Sequence, residues 1–153
     1  MTDESILQRI QSDMTAAMKA RDADTLSTLR MLKAALMEAK TKKAKDAALS
    51  RDEEIEVLQR YARKRRETIE ALKKVGRGDL VAREEQEIAV TGRYLPRTMS
   101  EEEVRVVVRE AVTQTGAAGP RDLGKVMGAV MARVKGRAEG ATVSRLVREA
   151  LGG

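Results

Sequence analysis

The segment from Gly124 to Arg137 is where residue type and spacing bear most directly on chemistry. It reads Gly-Lys-Val-Met-Gly, continues through Met131, and closes on Lys135-Gly136-Arg137. Gly124 and Gly128 fall within a helical periodicity, where each costs about 1 kcal/mol relative to alanine, so some use of their bare backbone is expected. They stand four apart, with Ala132 continuing the line and Lys135 ending it. Two uses fit. Small residues at this spacing let two helix backbones pack closely. Alternatively, a rigid polyanion such as an RNA sugar-phosphate chain lies on the smooth stripe while Lys125, Lys135 and Arg137 reach its phosphates. Both can hold at once, one flank of each glycine packing while the other stays open. Met127 and Met131 share a face with Val134 and read as core, not as ligands. From Arg121 to Gly153 there are seven basic and three acidic residues, a local surplus of the kind that phosphate binding uses.

Other chemistry is restricted by what the chain lacks. Its 153 residues include no cysteine and no histidine, which removes disulfides, thiolate metal sites and the ordinary neutral-pH proton shuttle. No G-x-x-x-x-G-K-[ST] loop is present to cradle a nucleotide, and the Gly136 to Gly140 turn has no following Lys-Ser or Lys-Thr. Glu84, Glu85 and Glu87 could gather magnesium, but neighbouring acids on a helix point different ways. No catalytic residue, metal site or cofactor is therefore expected. Tyr61 and Tyr94 are the only aromatic residues, so modules that stack single-stranded bases are poor candidates. The net charge of +6 points mildly toward polyanions, although most of the charge reads as solvated surface.

The elements that must position these residues read as helices throughout, because apolar residues recur at three and four and never hold a period of two. A first helix is expected from about Asp3 to Arg21 on Ile6, Ile10, Met14, Ala17 and Met18. Asp22 to Asp24 break it and cap a second helix carrying Leu26, Leu29, Leu32 and Leu36, whose closing lysines 40, 42, 43 and 45 suit the negative end of its dipole. Ser50 with Glu53 forms a capping box for a third helix, with Ile55, Leu58, Ala62, Ile69 and Leu72 on one stripe and Gly76 ending it. Arg65 stands on that stripe, which predicts a seam that is loose or faces a partner. Glu56 with Arg60, Arg63 with Glu67, and Arg66 with Glu70 are helix-supporting pairs worth about 0.3 kcal/mol each, so the run RYARKRR reads as a solvated face ahead of a nucleic-acid patch. A shorter helix follows from Asp79, with Leu80, Val81 and Ile88, and stops before Leu95-Pro96.

Pro96 marks the expected boundary between an N-terminal helical hairpin or bundle, 1–96, and a small three-helix domain, 97–153. The second domain starts with a capping box of Ser100 and Glu103 and a staple of Met99 on Val104. Its helices carry Val104, Val107, Val108, Ala111 and Val112, then the stretch from Pro120 to Lys135 closed by Gly136, then Val143, Leu146, Val147, Ala150 and Leu151 from Gly140 onward. The fold class is all-α. No stretch approaches the roughly 18 apolar residues of a membrane span, and Asp3 and Glu4 precede the first apolar residue after Met1, so a cytoplasmic protein without membrane attachment is expected.

Gly124-Lys125-Val126-Met127-Gly128, Met131 and Lys135-Gly136-Arg137-Ala138 resemble the signature of the GatB/YqeY tail domain. The run Arg30 to Leu36, and Tyr94-Leu95-Pro96 ahead of Met99-Ser100-Glu101-Glu102, are similar to the free-standing YqeY-like proteins, so the resemblance spans nearly the whole chain. Glu139 departs from it, standing where the family usually has Asp or Asn, a shorter and better helix cap. In GatB, a subunit of the tRNA-dependent amidotransferase, the tail domain helps hold the tRNA body. The resemblance thus implies a tRNA-binding accessory protein, with Gly124, Lys125, Gly128, Lys135, Gly136 and Arg137 as its contact residues. It also carries the family label of a carbon-nitrogen ligase with glutamine as amide donor, while Arg65 on the stripe of the third helix motivates a further alternative, a module that docks an amidotransferase subunit or another protein. Glutamine hydrolysis needs an activated nucleophile, for which this sequence offers no cysteine or histidine.

Overall fold

The computed structural model describes residues 4–152, and every regular element among them is helical. Seven α-helices follow in order: α1 Ile6–Lys19, α2 Ala23–Thr41, α3 Arg51–Lys74, α4 Val81–Gly92, α5 Glu101–Thr115, α6 Leu123–Val134 and α7 Gly140–Ala150. Short 3₁₀ turns, Gly78–Leu80 and Pro120–Asp122, lead into α4 and α6. None of these helices is long and apolar enough to cross a membrane. The described residues form two compact units that part between Leu95 and Pro96.

In the N-terminal unit α1 packs on α2 and α3 on α4, while α2 also meets α3 and α4. The core is built of Ile6, Ile10, Leu29, Leu32, Leu36 and Leu58, with Val90 and the ring of Tyr94. Asp3, the expected start of α1, lies outside the described residues; α1 starts at Ile6, because Ser5 accepts from the Gln8 amide while the Gln8 side chain accepts from the Ser5 amide. Met18 and Leu80, expected on inward faces, are exposed, Leu80 because the 3₁₀ turn before α4 rotates it off that helix's buried line. The third helix opens on the Ser50 and Glu53 capping box, and Gly76 follows it in a left-handed conformation, φ 73°. Of the expected surface pairs, Glu56 meets Arg60 at 3.6 Å, and Glu70 also has Lys73 at 3.9 Å.

In the C-terminal unit α5, α6 and α7 each pack on the other two. Their shared core is almost uniform in type: eight of its eleven buried residues are valines, joined by Ala111, Leu146 and Leu151. Ser100 accepts from the Glu103 amide, but the return half of the expected capping box is absent, since the Glu103 carboxylate turns to Arg97. Ala150, expected inside, is exposed. The Glu139 side chain makes no capping hydrogen bond to α7.

Candidate nucleic-acid interface

The C-terminal glycines are set by α6. Val126, Val130 and Val134 are fully buried along one side of this helix. Gly124 and Gly128 are each offset by two residues from that line, about 200° around the helix, and so face the opposite way. Gly124, Lys125, Gly128 and Ala132 are all exposed. A Cβ built on Gly124 or Gly128 meets no heavy atom within 4 Å. The expectation of close helix packing at the glycines is therefore overturned within this chain: α6 packs through its valines, with Met127 and Met131 half-buried beside them. What remains is a smooth exposed face carrying bare backbone at two positions.

The sequence reading carried α6 through Lys135, but the helix stops one residue earlier. Lys135 has φ −46° and ψ 123°, outside the helical region, and its exposed side chain leaves from the turn. Gly136 takes a left-handed φ of 76°, which a side chain would strain, and so reverses the chain. Arg137 then closes the turn. Its amide donates to the Val134 carbonyl at 2.8 Å, and its carbonyl accepts from the Met99 amide at 2.7 Å. This backbone bridge ties the end of α6 to the approach of α5, a structural task beyond the phosphate contact expected of Arg137. The six residues singled out from sequence thus separate into three on the exposed face of α6, Gly124, Lys125 and Gly128, and three in the turn behind it.

On the flank shared with α5 the charge is internally balanced. Arg133 meets Glu110 at 2.6 Å, Arg105 meets Glu101 at 3.6 Å and Glu149 at 3.8 Å, and Arg145 bonds both Glu101 and Glu149. Arg121 and Lys125 are exposed and form no ion pair among the described residues.

The N-terminal unit resolves the seam at Arg65. Its guanidinium lies 3.4 Å from Glu84 and 3.6 Å from Glu87, and over the Tyr61 ring at 5.3 Å to the centroid. The seam is therefore closed by α4, not left loose or open to a partner, and Glu84 and Glu87 are turned onto a cation of their own chain. Burial, and then the nearby Glu87 carboxylate, push the Tyr61 hydroxyl up from its ordinary value. Lys43, expected only to complement the α2 dipole, reaches instead to Glu53 at 2.6 Å; this bond, with the Ser50 amide, holds the Glu53 carboxyl down to about 2.

Sequence reasoning missed Glu54. It is 3 % exposed, and its carboxylate accepts from the Ile6 amide at 3.2 Å and the Leu7 amide at 2.9 Å. With the Ser5 and Gln8 exchange, this satisfies every amide at the start of α1. It also missed Tyr94, whose hydroxyl donates to Asp13 beneath the Arg9 guanidinium; burial first, and then this bond, raise the phenol.

A family model described as "Yqey-like protein" matches residues 7–151. The chain is also 32% identical, over 155 aligned residues, to "Altered inheritance of mitochondria protein 41, mitochondrial" from Pyrenophora tritici-repentis (strain Pt-1C-BFP). That alignment takes in 96% of this chain and 81% of the relative.

Proposed function

The chain belongs to the Yqey-like protein family, and from that premise we propose that it is an accessory protein that binds tRNA through the exposed face of α6. The observation that carries this reading is the pair of outward-facing glycines, each costing about 1 kcal/mol within a helix and neither repaid by packing. A bare backbone on an exposed helix lets another rigid backbone approach closely, and the exposed cations Arg121 and Lys125, ahead of and next to Gly124 in the chain, are suited to phosphates. The likeness of Gly124 to Gly128 and Lys135 to Ala138 to the GatB tail motif gives the reading its particular RNA. In that case the protein positions tRNA for an enzyme such as an amidotransferase and leaves the chemistry to it. The interaction-module alternative loses the observation that motivated it, since Arg65 is engaged by Glu84 and Glu87.

Filter binding of bulk tRNA to the full chain over a range of salt tests the proposal. Affinity is expected to fall steeply with salt, and Lys125→Ala to flatten the log–log slope by about 0.9, one phosphate contact. No retention of tRNA at the lowest salt would refute it. A cytoplasmic location belongs to the same proposal. Cell fractionation decides that point, given that the Pyrenophora relative is named as mitochondrial.

A further inference from the structure

The seam between α3 and α4 closes on polar side chains. Arg65 holds its guanidinium 3.4 Å from Glu84 and 3.6 Å from Glu87, whose side chains are 16 % and 12 % exposed, and lies over the ring of Tyr61. Two buried threonines flank the cluster, and both are paired. Thr28 donates to the Gln86 side-chain oxygen at 3.3 Å, and Thr91 to the Glu87 carbonyl at 2.7 Å. The centre differs: the Tyr61 hydroxyl, Arg65 Nε, Glu84 Oε2 and Glu87 Oε2 are all buried, and none has a hydrogen-bond partner among the described residues. Such atoms are costly to leave unpaired in a low-dielectric interior.

Their chemistry is complementary to one small molecule. The Tyr61 hydroxyl has a proton to donate, Arg65 Nε–H is a donor only, and the two carboxylate oxygens accept. The ion-pair distances exceed the range of about 2.7 to 3.2 Å for a hydrogen bond, so Arg65 offsets the charge of the acids without saturating their oxygens. Both oxygens approach the same guanidinium nitrogen, and the Glu87 charge reaches the Tyr61 hydroxyl, so the four atoms share one small region of the seam. Two donors and two acceptors are the reverse image of water, which offers two of each and commonly joins buried polar groups in this way.

Other occupants fit less well. A metal ion would face the Arg65 cation, and no group of three acids able to hold one occurs among the described residues. An anion would face two carboxylates. Because the four atoms are closed to solvent, a larger molecule would have to part the helices.

We propose that a single internal water bridges α3 to α4, accepting from Tyr61 and Arg65 and donating to Glu84 and Glu87. The middle of α4, between the buried Val81 and Val90, is then joined to α3 through an exchangeable molecule. This inference is independent of the RNA-binding reading. A high-resolution crystal structure of the full chain tests it directly, with one density peak expected within about 2.7 to 3.2 Å of all four atoms. A Tyr61 hydroxyl donating straight to Glu84 or Glu87 with no peak between them overturns the assignment, as does density larger than one water. In solution, the Arg65 Nε proton should give laboratory-frame and rotating-frame Overhauser peaks to water of opposite sign, the mark of a bound molecule; peaks of the same sign, or none, count against it. Tyr61→Phe removes one hydrogen bond of the network and should raise the unfolding constant about fivefold. An unchanged or lowered constant would mean that the hydroxyl has no partner, and would overturn the bridge.

Discussion

Replacing Gly128 by alanine separates the two uses of a helical glycine in one measurement. Gly128 sits sixth of the twelve residues of α6, well inside the helix, so the full propensity difference of about 1 kcal/mol applies. The new methyl meets nothing within 4 Å, so no overpacking penalty offsets that gain. Gly128→Ala is therefore expected to stabilise the C-terminal unit by about 1 kcal/mol, part of it through reduced freedom of the unfolded chain. Amide hydrogen exchange reads this within the intact protein: the buried α6 positions Val126 and Val130 should gain about fivefold in protection where exchange follows opening of the whole unit. In parallel, the methyl should hold an RNA backbone off the helix and weaken tRNA binding. Lowered protection at Val126 and Val130 would refute the structural reasoning, because it would mean the methyl is crowded. Raised protection with undiminished tRNA affinity would refute the functional use of the glycine.

Two further perturbations concern the N-terminal unit. Glu54→Ala should cost about 2 to 3 kcal/mol in urea denaturation, since it strips a buried charged acceptor from two amides at the positive end of α1; a loss below about 0.5 kcal/mol would show that the amides find other partners. Glu53 sets an acid dependence, because its carboxyl is held to about 2 in the fold against an ordinary value of 4.5. A lowered folded-state value means stability that is fully present above about 4.5 and is lost as pH falls through about 2. The urea midpoint of wild type should therefore drop more steeply over that window than that of Glu53→Gln, and parallel curves would remove Glu53 from the acid response.

Much of the fold can be read along the chain because its signals are local. The Ser50 and Glu53 exchange spans three residues, and the stripes of α2 and α5 repeat every three or four, so each is visible within a short window. Glu54 carries no such signal: it stands in a run of acids that resembles solvated surface, and the amides that bury it are more than forty positions away. Arg65 misled for the same reason, since its partners Glu84 and Glu87 come from another helix. The glycines of α6 are a different case. Their two-residue offset from Val126 and Val130 was present in the sequence and already placed them opposite the core; the close-packing expectation weighed the four-residue spacing and overlooked the phase. The stop at Val134 turns on backbone angles at Lys135, which a lysine does not announce.

The valine content of the C-terminal core has a consequence for how α6 can behave. A valine side chain has one χ1 angle, and on a helix a single rotamer accounts for about 90% of its population. The packing of Val126, Val130 and Val134 against Val104, Val107, Val108, Val143 and Val147 therefore offers few alternative arrangements, and little side-chain freedom is given up to reach it. The leucines and isoleucines at the centre of the N-terminal unit have a second angle to adjust, and can rearrange around a shifted neighbour. Beneath α6 that adjustment is lacking. The helix rests on a bed of branched carbons with one way to fit, which keeps its outer surface at a fixed height.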